Sequence, residues 1–149
     1  MYKKILVPLD GSARAEKILP HVEELAHRYN AKVAFVQVVE LTTMVIADYE
    51  ASGGYMLEWA EQAKEEAEGY LASWRGKFIE KGIEVSVSVE PGHVVETIIK
   101  VAEQEDVDLI AMASHGRTGL SHVFYGSVAI GVLHRVDRPM LLIRSQDNA

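Results

Sequence analysis

The stretch from residue 113 to residue 127 gathers the most useful chemistry in the chain. It reads Ala113-Ser114-His115-Gly116-Arg117-Thr118-Gly119-Leu120-Ser121-His122-Val123-Phe124-Tyr125-Gly126-Ser127. It has no acidic residue, in a chain with 22 Asp and Glu against 15 Lys and Arg. Gly126-Ser127 opens a helical pattern. Backbone N–H groups at a helix N-terminus, with a serine hydroxyl beside them, can receive an anion. Glycine lets a phosphate approach the backbone closely. A loop with an ordinary serine helix cap fits the same residues, and spacing alone supports both readings equally. A Walker A loop is excluded, because Gly-x-x-x-x-Gly-Lys is absent, and so is the dinucleotide fingerprint Gly-x-Gly-x-x-Gly.

Other reactive groups are sparser. Asp10 follows an apolar run and can serve a ligand hydroxyl or amine, or cap a turn. A receiver domain needs an acidic neighbour there, an Asp after the third strand and a Lys after the fifth. Here Leu9, Pro91-Gly92 and Arg144 stand at those places. His115 and His122 are seven residues apart with no carboxylate near them in sequence, which is poor metal-ligand spacing. His21, His27 and His134 read as helix-face residues and His93 as a surface residue. Glu58, Glu61, Glu65, Glu66 and Glu68 read as a solvated helix face. Trp74 fits a core stripe and Trp59 an exposed position. Arg117 is the fixed cation of the loop and no general base accompanies it. The set reads as a binding module rather than an efficient hydrolase.

These groups need elements to place them, and the chain alternates apolar runs with helical patterns. Strands are expected at residues 5–7, 33–39, 85–89, 109–112 and 140–143. Helical faces recur at Ile18, Leu19, Val22, Leu25, Ala26 and Tyr29; from Ala60 to Phe78; at Val95, Ile98, Ile99 and Ala102; and at Ala129, Val132, Leu133 and Val136. Pro20 must bend the first helix or fall in its first turn. Asn30 and Gly82 are helix stops, and Pro91-Gly92 is read as a turn. Alternating Val and Ser at 85–89 suggests a strand near a sheet edge. The β-α order implies a parallel sheet with helices on both faces, in one domain over 1–149. Ligands of such sheets bind at the carboxyl ends of the strands, where strand order reverses. That selects residues 10–12, 40–55, 90–92 and 113–127. Residues 40–55, without periodicity and with Gly53-Gly54, are expected to form a flap. Residues 145–149 are expected to form a loose tail.

Composition bounds the partners. Hydrophobic residues are 48% and charged residues 25% of 149, a globular balance. There is no cysteine, so disulfides and zinc thiolates are excluded. A net charge of −7 argues against nucleic acid. No apolar run approaches membrane-spanning length, and Met1-Tyr2-Lys3-Lys4 leads into too short a run for a signal peptide. A soluble, cytoplasmic protein is expected.

The chain resembles the universal stress proteins. That family's first strand ends in a turn like Val7-Pro8-Leu9-Asp10-Gly11-Ser12. Its nucleotide-binding members carry Gly-x2-Gly-x9-Gly-Ser/Thr after the fourth strand. Gly116 matches the second glycine, residues 117–125 supply the spacer, and Gly126-Ser127 complete the motif. Ala113 stands in place of the first glycine. The likeness runs through the closing Arg135-Val136-Asp137-Arg138-Pro139-Met140-Leu141-Leu142-Ile143.

The resemblance implies a three-layer αβα fold of the adenine nucleotide alpha hydrolase-like kind, its five parallel strands ordered 3-2-1-4-5. It implies ATP as ligand, with Mg²⁺ bound through the phosphates. Asp10, beside Pro8 and Leu9, and the backbone at Val38 would hold adenine and ribose. Met112 and Ala113 would line the nucleoside pocket. Gly116, Gly126, Ser127 and Val128 would hold the phosphates, with His115 and Arg117 in the same loop. Alanine at 113 would be strained if the position required a positive φ. The implied function is a cytoplasmic stress-response protein that binds ATP and signals through conformation or association. The alternatives are a member that acts by protein contacts without nucleotide, and a slow ATPase. Adenylating relatives carry a Ser-Gly-Gly-x-Asp-Ser-like loop after strand 1, which Leu9-Asp10-Gly11-Ser12 does not match. A homodimer through residues 140–143 would cover an apolar edge strand.

Overall fold

Apolar runs that fit only between two helical layers set the architecture. The computed structural model describes residues 1–40, 55–114 and 126–145. Its strands are β1 (Lys4–Pro8), β2 (Lys32–Glu40), β3 (Val85–Gly92), β4 (Leu109–Ala113) and β5 (Met140–Ile143). They form one parallel sheet in the order β3-β2-β1-β4-β5. Its helices are α1 (Leu19–Tyr29), α2 (Tyr55–Glu80), α3 (Val94–Gln104) and α4 (Ser127–Arg135), with a 3₁₀ turn at Ala15–Ile18.

Side chains alternate across each strand. On one face Ile5, Val7, Val33, Phe35, Val85, Leu109 and Ala111 meet Ile18, Val22 and Ala26 from the first helical segment and Leu71 and Phe78 from α2. Phe35 and Phe78 pack edge to face, centroids 5.1 Å apart. On the other face Leu6, Ala34, Val36, Ile110 and Met112 meet Ile98, Val101 and Ala102 of α3 and Ala129 and Val132 of α4. β4 is buried at all five positions, as a central parallel strand requires. β5, at the edge, is half-buried at all four.

Local signals explain the boundaries. Pro20 falls in the first turn of α1, where its missing N–H has no intrahelical acceptor to lose. Ile18, expected on the helical face, belongs to the preceding 3₁₀ turn. Asn30 ends α1 at φ 52° and Gly82 follows α2 at φ 81°. Pro91-Gly92 does not turn the chain: both remain in β3, opposite Val39 and Glu40. β3 is an edge strand, which tolerates a residue without an N–H. Ser145 is not loose either. It is buried, and its N–H donates to Ser114 Oγ at 3.3 Å. Residues 41–54 of the expected flap and 146–149 of the expected tail lie outside the described residues.

Arg138 fixes the end of α3. Its guanidinium donates to the carbonyls of Ala102 and Val107 at 2.9 and 3.1 Å. Asp106, at φ 46°, turns the chain out of that helix. At the same, amino end of the strands, Asp108 Oδ2 accepts the N–H groups of Lys3 and Lys4, aligning the starts of β1 and β4.

Candidate functional site

β1 and β4 are neighbours, while β2 continues from β1 on one side and β5 from β4 on the other. Strand order therefore reverses between β1 and β4, and their carboxyl ends open the crevice that such sheets use for ligands. The residues leaving β1 and β4 are the ones selected from charge and glycine content.

Asp10 stands just beyond β1. The Leu9 N–H extends the ladder one step past the strand, donating to Val36 O at 2.9 Å. The chain then reverses through Gly11 at φ 84°, a conformation that glycine adopts without strain. Asp10 Oδ1 accepts the Ser12 N–H at 2.9 Å, and Ser12 Oγ accepts the Ala15 N–H at 3.1 Å. The turn thus fixes the Asp10 carboxylate through its own hydrogen bonds. Pro8 and Asp10 are half-buried and Leu9 is core. Val38 is half-buried on β2, with its side chain toward the α3 and α4 layer.

The β4 side is built on Ser114. Met112 and Ala113 are 6% and 7% exposed, so the carboxyl end of β4 is packed. Among the described residues the positive-φ positions other than glycine are Asn30 and Asp106. Ala113 therefore carries no backbone strain from that source; it is ordinary strand, opposite Ile143. Ser114 is 1% exposed. Its N–H donates to Ile143 O at 2.7 Å, and its carbonyl accepts the Gly126 N–H. That last bond ties the residue that opens α4 to the end of β4.

Gly126 is extended, at φ −65° and ψ 150°, so any residue could adopt its backbone shape. The absent side chain, not the dihedral, is what glycine contributes. Its carbonyl accepts the Ile130 N–H at 3.1 Å. The N–H groups of Ser127, Val128 and Ala129 are those that helix geometry leaves without an intrahelical acceptor. Ser127, the first residue of α4, is exposed. Val128 is half-buried and packs on the α3 side. No acidic residue lies in this first turn. Such an arrangement can take an anion.

The structure thus brings Pro8, Leu9 and Asp10 to the β1 exit, Met112 and Ala113 to the β4 exit, and Gly126, Ser127 and Val128 to the start of α4. His115, Gly116 and Arg117 lie outside the described residues. Among the described residues no group of three His, Asp or Glu side chains is arranged to hold a metal. Nor is any helix among them long and apolar enough to cross a membrane.

Three contributors were not singled out from the sequence. Ser114 anchors Gly126. Glu16 accepts the Tyr70 hydroxyl at 2.5 Å, beside the Asp10 turn. Burial first, then the Glu16 hydrogen bond and charge and the Asp10 charge, push the Tyr70 phenol above the ordinary tyrosine value, against a lowering hydrogen bond from Trp74. The sequence signal for Tyr70 was its place on an apolar stripe, which reports burial and is silent about the hydroxyl.

The universal stress protein family pattern matches residues 1–144. The solved structure of MJ0577 from Methanocaldococcus jannaschii is 30% identical, covers 99% of each chain and superposes with a TM-score of 0.88. A universal stress protein solved in complex with cAMP is similar in fold, at 17% identity over 97% of this chain and 98% of that one, TM-score 0.61. One from Archaeoglobus fulgidus, in complex with dAMP, is 19% identical over 95% and 98%, TM-score 0.58. With the family pattern matched over residues 1–144 and the fold shared along nearly the whole length, the chain belongs to the universal stress protein family.

Proposed function

We propose that this protein binds an adenine nucleotide, ATP, in the crevice between β1 and β4, and signals through the resulting change in conformation or association. One observation carries the reading. The Asp10 turn and the acid-free first turn of α4 flank a single strand-order reversal, so one ligand can meet a carboxylate at one end and helix N–H groups at the other. A nucleotide has that polarity: hydroxyls and an amine at the nucleoside, negative charge at the phosphates. The family members solved with cAMP and dAMP support adenine as the base.

In this reading Asp10, beside Pro8 and Leu9, and the Val38 backbone hold the nucleoside, over a floor of Met112 and Ala113. Gly126, Ser127 and Val128 receive the phosphates, with His115, Gly116 and Arg117 contributing from the same loop. Mg²⁺ accompanies ATP through phosphate oxygens and water. The associating surface is β5. Its four apolar residues, Met140 to Ile143, are half-buried on an open sheet edge, where a second copy could pair.

Mass spectrometry of small molecules released from freshly purified protein tests the function. Recovery of an adenine nucleotide in amounts near one per chain is expected. Protein that releases none, and that takes up no added ATP, would move the reading to a member acting by protein contacts alone.

A further inference from the structure

Tyr70 lies on α2, 54 positions along the chain from Glu16, yet donates its hydroxyl hydrogen to Glu16 Oε2 at 2.5 Å. Glu16 is part of the 3₁₀ turn that follows the Asp10 loop. Its N–H donates to the Ser12 carbonyl at 3.3 Å, and the Ser12 N–H donates to Asp10 Oδ1 at 2.9 Å. The Ala15 N–H closes the same turn on Ser12 Oγ. A run of hydrogen bonds therefore leads from α2 to the Asp10 carboxylate at the β1 exit.

The charges give this run a purpose. Glu16 and Asp10 are both carboxylates close enough to raise the Tyr70 phenol. Two like charges near one half-buried hydroxyl repel each other, and a donor shared with one of them offsets that repulsion. Tyr70 keeps its proton throughout the ordinary pH range, so the donor is always present. Phenylalanine would keep the ring on its apolar stripe and remove the donor alone.

We propose that Tyr70 and Glu16 are positioning residues for Asp10, clamping the turn after β1 to α2 so that its carboxylate is held in place for the ligand. The proposal rests on the nucleotide reading for what Asp10 meets. Neither Tyr70 nor Glu16 touches the ligand itself. α2 begins at Tyr55, so the clamp also ties the Asp10 turn to the helix that follows residues 41–54.

The test compares Tyr70→Phe, Glu16→Ala, Glu16→Gln and the Tyr70→Phe/Glu16→Ala pair. Two readouts apply: amide exchange at Ser12 and Ala15 in the unliganded protein, and the calorimetric affinity for adenosine. Both single losses should speed exchange at these two amides, with the β4 amides unchanged, and should weaken adenosine about fivefold, at the low end of intramolecular couplings. The double variant should be no worse than either single one. Glu16→Gln keeps an acceptor for the phenol and should restore most of the affinity. Unchanged exchange at Ser12 and Ala15 in a folded Tyr70→Phe protein would overturn the clamp. So would additive losses, or adenosine affinity that ignores Tyr70→Phe. If the wild type binds no adenosine, the nucleotide reading fails, and the exchange readout still decides whether the clamp exists.

Discussion

At Asp10 one carboxylate oxygen already holds its own turn, through the Ser12 N–H. Replacing Asp10 with Ala therefore removes a brace of the turn together with the ligand contact proposed for it. ATP and adenosine should weaken alike in a calorimetric titration, because the proposed contact is with the nucleoside. Ser127 is a different case. Its side chain is exposed, so Ser127→Ala should leave the fold intact and remove the one bond to charged phosphate proposed for it. The expected loss is about 1.5–3 kcal/mol, roughly one to two decades of ATP affinity, with adenosine unaffected. Tyr70 gives a pH signature. Its folded ionisation lies above the ordinary value of 10.0, so its contribution to stability is full below that value and is lost as pH rises beyond it. The urea midpoint of the wild type should fall more between about pH 9 and about pH 11 than that of Tyr70→Phe. The turn at Asp10 and the helix start at Gly126-Ser127 were legible in the sequence, because turn chemistry and helix starts depend on near neighbours. Ser114 and the Tyr70–Glu16 pair were not. Their partners are brought together by the fold across 12 and 54 positions, and a one-dimensional pattern does not carry that information.

At the scale of elements, two glycines predict opposite outcomes. A methyl at Gly131 on α4 would meet Val95 Cγ2 of α3 at 2.7 Å, whereas one at Gly76 on α2 meets nothing within 4 Å. Alanine gains about 1 kcal/mol over glycine within a helix, while overpacking costs about 1–3 kcal/mol. Gly131→Ala should therefore lower stability and Gly76→Ala raise it, both read from denaturant midpoints. β5 and the start of α4 were placed from sequence at the residues where they occur. β4 was placed one residue short, since Ala113 gives no signal that distinguishes strand from loop. β3 was ended too early at Pro91-Gly92. A proline-glycine pair usually breaks a strand, and only its position on the sheet edge lets this one continue.

At the scale of the molecule, the parallel sheet followed from the β-α alternation and its strand order from the resemblance alone, and that order creates the crevice. It also leaves the apolar β5 at an open edge. Light scattering at micromolar concentration should give a dimer mass. Replacing Leu141 with Lys on that strand should shift the mass toward the monomer, whereas a monomeric wild type would contradict pairing through residues 140–143. The central claim is that phosphate sits against the first turn of α4, beside a carboxylate on the β1 exit. Gly126 needs no special φ, so Gly126→Val leaves the backbone unstrained and puts a branched side chain where the phosphate must approach. The most direct measurement is a calorimetric titration of ATP with Mg²⁺ into the wild type and into folded Gly126→Val. The account predicts binding by the wild type and its collapse in the variant. Equal affinity in the two proteins would contradict the site, and no binding by the wild type would contradict the function.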